Sequence, residues 1–261
     1  MGGVTGAFTP ARLRGLSVGE TSALLIVAAL AWVVTIVVAR GMGVMPGTMG
    51  LTIGAFFGVW TLMMAAMMLP SISPLASLYA RTMHDHRTRR VMLLGCGYLA
   101  VWAAVGVVAF GLAAGAERLA EDAPGWAQAV AVASCLVCGI YQMTPLKDRC
   151  LQKCRSPLGH LLRYASFRGP LADTFVGVHH GAWCLACCWS LMLLLVTFGV
   201  MSVVAMVVLA AVIVAEKLLA PGRWFSITVG LGAVALGVAI WIDPSLASGL
   251  HATTGSDMAG M

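Results

Sequence analysis

Residues 179–200 read HHGAWCLACCWSLMLLLVTFGV. In a helix, at about 100° per residue, His180, Cys184, Cys187 and Cys188 fall within an arc of roughly 100°. One imidazole and three thiols therefore share a face. Met192 lies one turn beyond Cys188 and carries the stripe into an apolar run too hydrophobic for a soluble surface helix. The stripe enters a membrane. Thiolate, thioether and imidazole together select Cu(I) or Zn(II) over hard cations, which predicts a metal site at one membrane face. A single cysteine in such a helix packs as a small hydrophobe. Three within five residues, behind paired histidines, form the pattern of a metal or redox site.

The rest of the composition agrees with a membrane setting. Of 261 residues 60% are hydrophobic and 10% charged, against about 25% charged in an ordinary soluble domain. The net charge of +6 and a pI near 9.1 do not indicate nucleic acid, because the basic residues sit between apolar segments rather than in a patch. The first apolar segment is longer than the roughly 7–15 residues of a signal core and lacks a clear cleavage site, so it is expected to stay as a helix.

A bilayer core takes about 20 apolar residues per helix. On that measure the fold is all-α, a polytopic bundle of about seven spans in a single integral membrane domain over residues 1–261: Thr21–Ala39, Leu51–Leu69, Val91–Gly115, Trp126–Thr144, Ala182–Phe198, Val200–Leu219 and Ser226–Ile242. Gly199 is read as a tight turn, because one continuous helix through it would badly mismatch the bilayer. With the N-terminus inside and the C-terminus outside, all 16 basic residues except Arg40 and Arg118 fall in inside segments. The His179–Cys188 stretch then faces the cytosol, where thiols stay reduced.

The same face collects further candidates. The second span ends WTLMMAAMMLP, where Met64, Met67 and Met68 share a face at i, i+3, i+4 spacing. Such a turn also serves as flexible packing. Pro70 and Pro74 are expected to close that helix. Between spans four and five, an amphipathic cytoplasmic segment places Cys150 and Cys154 one above the other, and Lys147, Arg149, Lys153 and Arg155 are expected to lower both thiol pKa values. Pro157 is read as breaking it, with Leu158, Leu161 and Leu162 continuing the apolar side. His84 and His86 lie in a basic loop better explained by an anionic leaflet. Cys96 reads as packing, and Cys135 with Cys138 as either a metal relay or a small-residue helix contact. Gly54 with Gly58 and Gly111 with Gly115 are read as close helix contacts. Met42, Met45, Met49, His251, Met258 and Met261 offer weaker copper ligands on the outer face. No phosphate-binding glycine loop, HExxH motif or Ser/His/Asp arrangement is apparent, so no catalytic residue is assigned.

The segments WTLMMAAMMLP, YQMTPLKDRCLQKCRSPLGHLL, HHGAWCLACCWSLM and AEKL, in this order and spacing from Trp60 to Leu218, resemble a bacterial family of predicted metal-binding integral membrane proteins of unknown function, some members of which are labelled copper chaperones. Ala186 stands where the family pattern has Gly. The resemblance implies metal association, carried by Met64, Met67, Met68, Cys150, Cys154, Cys184, Cys187 and Cys188, and a place in the bacterial cytoplasmic (inner) membrane. With His180, these residues are the expected metal ligands. The leading expectation is a protein that binds Cu(I) at its cytoplasmic face and passes it across the membrane or to a membrane-bound acceptor, its partners being the lipid bilayer and a metal-delivering or metal-accepting protein. A subunit with structural Zn(II) ligands and a membrane thiol oxidoreductase are the alternatives.

Overall fold

Long apolar runs leave a bilayer-embedded chain one economical local solution, the α-helix, which satisfies every backbone group within its own segment. The computed structural model describes residues 18–42, 47–48, 50–82, 86–156, 171–219 and 222–250. Among the described residues there is no strand. The helices are α1 (Val18–Met42), α2 (Ile53–Thr82), α3 (Arg87–Asp122), α4 (Pro124–Met143), α5 (Pro145–Arg155), α6 (Ala172–Thr197), α7 (Val203–Val214) and α8 (Arg223–Ile242). Six of them, α1 to α4, α6 and α8, are long and apolar enough to cross a membrane.

The span expected over Val200–Leu219 is built differently. Its first residues are spent on the turn after α6, where Gly199 takes φ +90°, and Ser202 caps α7 by accepting from the Ala205 N–H at 3.4 Å. The 12 α-helical residues of α7 then pass into a five-residue π turn, Ala215–Leu219. The tight turn at Gly199 is present as read. By length and composition the described residues supply six candidate spans, where the sequence suggested seven.

Three helices also outrun their apolar cores at one end of the bundle. Instead of ending at Leu69, α2 passes through Pro70 and Pro74 to Thr82. Each proline removes an N–H and orphans the carbonyl four residues back. For Pro74 that carbonyl belongs to Pro70, and Ser73 Oγ donates to it at 2.8 Å, while Ser77 Oγ donates to Pro74 O at 2.9 Å. Side-chain replacement of this kind is how membrane helices tolerate proline. α3 starts at Arg87 rather than Val91, and α6 at Ala172 rather than Ala182. The three extended ends are clamped together: the Tyr79 hydroxyl donates to Asp173, and Arg90 Nε lies 3.6 Å from the other oxygen of the same carboxylate.

Packing is set by small residues. With lipid on the other side there is no hydrophobic gain in pairing helices, so close backbone approach supplies the attraction. α3 crosses α6 so tightly that a Cβ on Gly97 would stand 2.1 Å from Thr174 O, and one on Gly177 2.0 Å from Leu94 O. α4 and α8 approach in the same way at Gly139 and Gly230. The glycines singled out from sequence do not do this. Gly54, Gly58, Gly111 and Gly115 have no neighbour within 4 Å of a Cβ position among the described residues; glycine spacing repeats on any helix face and does not say which face meets a partner.

Candidate metal centre

Because α6 begins at Ala172, Cys184 sits twelve residues into the helix, about 18 Å from its start. The stripe is therefore held deep against α3, α5 and α7 rather than at a helix end. His180, Cys184, Cys187 and Cys188 are all buried. Cys184 Sγ lies 3.8 Å from Cys188 Sγ. Cys187 and Cys188 donate to the Cys184 carbonyl at 3.1 and 2.8 Å. The His180 ring, one turn before Cys184, has its centroid 6.2 Å from that of Tyr98.

α5 supplies the fourth sulfur. Thr144 caps this helix by accepting from the Lys147 N–H at 3.2 Å, and Pro145 takes the first turn, where its missing N–H costs nothing. That start aims the Lys147 side chain into the bundle and brings Cys154 Sγ to 3.6 Å from Cys187 Sγ. Cys150, one turn earlier, is buried beside Tyr141, whose hydroxyl donates to Ala186 O. The neighbouring basic residues do not bring these thiol pKa values down overall. Burial, then the nearby Cys187, pushes the Cys150 thiol up, and the hydrogen bond with Cys187, followed by burial, pushes Cys154 well up. The bases do not reverse these shifts and are engaged elsewhere: Arg155 Nε donates to Glu216 O at 2.7 Å, and Lys147 Nζ to Cys187 O at 2.7 Å and to Glu216 Oε2 at 2.8 Å.

Charged residues at the end of α7 complete the enclosure. Lys147 and Glu216 form an ion pair with side chains 0% and 2% exposed. Gln142 and Ser226 donate to the other carboxylate oxygen of Glu216 at 3.3 and 3.1 Å. The next residue, Lys217, turns to the thiols. Its Nζ donates to Cys184 Sγ at 2.7 Å and to Ser71 Oγ at 3.3 Å. The Tyr98 hydroxyl is 2.8 Å from the same sulfur.

Met64, Met67 and Met68 are fully buried in α2. Their helix is linked to the cysteines by side chains: Ser71 Oγ and Tyr98 Oη donate to Met68 O at 2.8 and 3.4 Å, and Tyr98 and Lys217 reach Cys184 from the other side. Cys135 is buried in α4 with its Cβ 3.1 Å from the Cβ position of Gly237 on α8, which makes it a helix contact. Cys96 is exposed on α3 rather than packed within the protein. Pro157, Leu158, Leu161, Leu162, His84, Met45, Met49, His251, Met258 and Met261 lie outside the described residues, as does the side chain of Met42.

Tyr98, Glu216, Lys217 and Ser71 were not among the residues singled out from sequence, and Lys147 was read only as a base acting on the α5 thiols. The available signal was an acid and a base, Glu216 and Lys217, at the end of an apolar run, since an ionisable residue at membrane depth marks function by default. Among the described residues no three His, Cys, Asp or Glu groups converge as a finished metal cage. The sulfurs come instead as two pairs that share α6.

Residues 57–240 match the PpoB2 family, described as a copper chaperone. The chain belongs to that family. The match takes in everything from α2 to α8 that builds the enclosure, Met64 to Lys217 included. No curated protein and no solved structure matches the chain. PpoB2 membership ties the chain to copper, and its six long apolar helices fit a lipid bilayer.

Proposed function

We propose that the chain takes Cu(I) as its cargo on the thiols of Cys184, Cys187, Cys188 and Cys154 and passes it across the bacterial inner membrane or to a membrane-bound acceptor. The observation that carries this reading is the sulfur spacing. Two thiolates bound at about 2.3 Å to one tetrahedral ion stand about 3.8 Å apart, and the two pairs here are 3.6 and 3.8 Å apart. Thiolates are the donors that favour Cu(I). Cys187 is within interaction range of Cys154, Cys184 and Cys188, so an ion can pass from the α5 side to the buried pair without leaving sulfur. Cys154, the partly exposed member, suits first contact with a delivering protein. Cys150 and His180 flank the thiols, and Met64, Met67 and Met68 offer neutral, weaker donors beyond Tyr98 for onward transfer.

The test is metal analysis of protein purified without oxygen. Cys184→Ser with Cys188→Ser is expected to abolish stoichiometric Cu(I) binding. Met67→Leu with Met68→Leu, nearly volume-conserving, is expected to leave binding largely intact and slow delivery to an acceptor. Full copper content and delivery in the double-Ser protein would overturn the proposal. Stoichiometric zinc with methionine variants of normal behaviour would replace it with a structural zinc site.

A further inference from the structure

The thiols of the enclosure differ in how they can be joined. Cys184, Cys187 and Cys188 belong to one helix, and Cys184 lies twelve residues inside it. Side chains three or four apart on a helix keep their Cβ atoms about 5–6 Å apart, and adjacent ones do not face each other, whereas a disulfide needs its Cβ atoms about 3.5–4.5 Å apart. An ion can bridge such a pair; a covalent S–S bond would have to unwind α6. The same limit keeps Cys150 from Cys154 on α5. Cys154 and Cys187 escape it, because they come from different helices and their sulfurs are already in contact at 3.6 Å. Lys147 Nζ bonds α5 to Cys187 O, and Arg155 Nε, next to Cys154, bonds it to Glu216 O, which holds that register. Cys154 is partly exposed and Cys187 is 1% exposed, so a reagent from solution meets Cys154 first.

We infer that Cys154 and Cys187 are a dithiol–disulfide pair through which a low-molecular-weight disulfide, the oxidised form of a soluble thiol pool, shuts the site to Cu(I). The inference rests on the thiol site proposed above. The Cys154 thiolate attacks one sulfur of the oxidant RSSR, forming a mixed disulfide and expelling one RS⁻. The Cys187 sulfur then attacks Cys154 Sγ, the bond to the second RS breaks, and the protein disulfide closes as the sulfurs come from 3.6 Å to about 2.05 Å. Two electrons pass from the two cysteines to the oxidant, and their two protons leave on the two RSH released. The hydrogen bond to Cys187, and then burial, keep the Cys154 thiol protonated most of the time, so the first step is slow and brief exposure to oxidant leaves the dithiol in place. The product removes both the partly exposed sulfur that receives the ion and the sulfur that passes it inward, while Cys184 and Cys188 stay reduced behind them. Bound Cu(I) has the converse effect, since a sulfur held by metal is not free to attack. In a reducing compartment a disulfide of this kind is transient and redox-sensing rather than structural.

The test uses the full-length protein in lipid nanodiscs, metal-free and purified without oxygen, incubated with excess glutathione disulfide. The sample is then quenched in acid, unfolded, alkylated and mapped by peptide mass spectrometry without reduction. A Cys154–Cys187 linkage is expected, with Cys184 and Cys188 alkylated. Cu(I) uptake from a chromophoric chelator is expected to slow about tenfold or more in the oxidised protein, as a positioned donor is lost from the handover, and to recover after reduction by a phosphine. Protein loaded with Cu(I) beforehand is expected to resist oxidation. Cys150→Ser is expected to form the same linkage, and Cys154→Ser none. A linkage joining any other cysteines, a glutathione adduct that stays on Cys154, or alkylation of all eight cysteines overturns the inference, and so does a Cys154–Cys187 linkage that leaves uptake unchanged. Because the mapping needs no metal, its failure is distinct from failure of the copper site, which shows instead as unaltered copper binding in the Cys184→Ser, Cys188→Ser protein.

Discussion

Glu216 does the most for order in the enclosure without touching a sulfur. It ties Lys147 of α5, Gln142 of α4 and Ser226 of α8 to the end of α7, all through one carboxylate. Glu216→Ala strands the fully buried Lys147 ammonium, and removing one partner of a buried pair costs about 3–5 kcal/mol. Pairing Glu216→Leu with Lys147→Met removes both charges together, and such replacements are often neutral or stabilising. Thermal unfolding in detergent is expected to show a large loss for the single variant and recovery for the double. Equal losses in the two would mean that the pair has no separate electrostatic role. Lys147 also donates to Cys187 O, so the single variant is expected to loosen the approach of Cys154 as well.

At the scale of helices, the α3/α6 crossing fixes where the cysteine face points. Gly177→Ala puts a methyl carbon 2.0 Å from Leu94 O, and neither backbone can yield without separating the helices. Reduced thermal stability and weakened copper binding are expected, although every sulfur remains. Gly54→Ala and Gly58→Ala, which meet nothing within 4 Å among the described residues, are expected to change neither. The contrast marks what could be read from the sequence. The cysteine stripe, the turn at Gly199 and the amphipathic α5 follow from local periodicity and composition, which a single sequence displays. The partners of each face do not, since a glycine is equally visible whether it touches lipid or another helix. The prolines of α2 misled for a related reason: their disruptive effect is plain, whereas the compensating Ser73 hydroxyl acts only once the helix has formed. The upward thiol shifts on α5 were illegible because sequence neighbours show nearby charge and conceal burial. Lys217 was visible as a base in an apolar run, but its partner lies 33 positions away on another helix.

For the whole molecule, the charge distribution predicts an orientation that can be measured. The Tyr79–Asp173–Arg90 clamp draws the end of α2 and the starts of α3 and α6 to one side, and the basic residues Arg81, Arg87, Arg89 and Arg90 accompany it. The positive-inside rule predicts that this side faces the cytosol. Reporter fusions are expected to place Arg87 and Lys153 inside and Arg118 outside; a periplasmic Lys153 would remove the reducing compartment on which the thiol chemistry depends. The bonds from Lys217 to Cys184 and from Glu216 to Lys147 join residues far apart along the chain, and a protein is made from its N-terminus forward. During synthesis the thiols of α5 and α6 thus leave the ribosome before their lysine cover. A chain that stops short of α7 would lack both Glu216 and Lys217, so the side-chain cover of the sulfurs is among the last parts of the enclosure to be made.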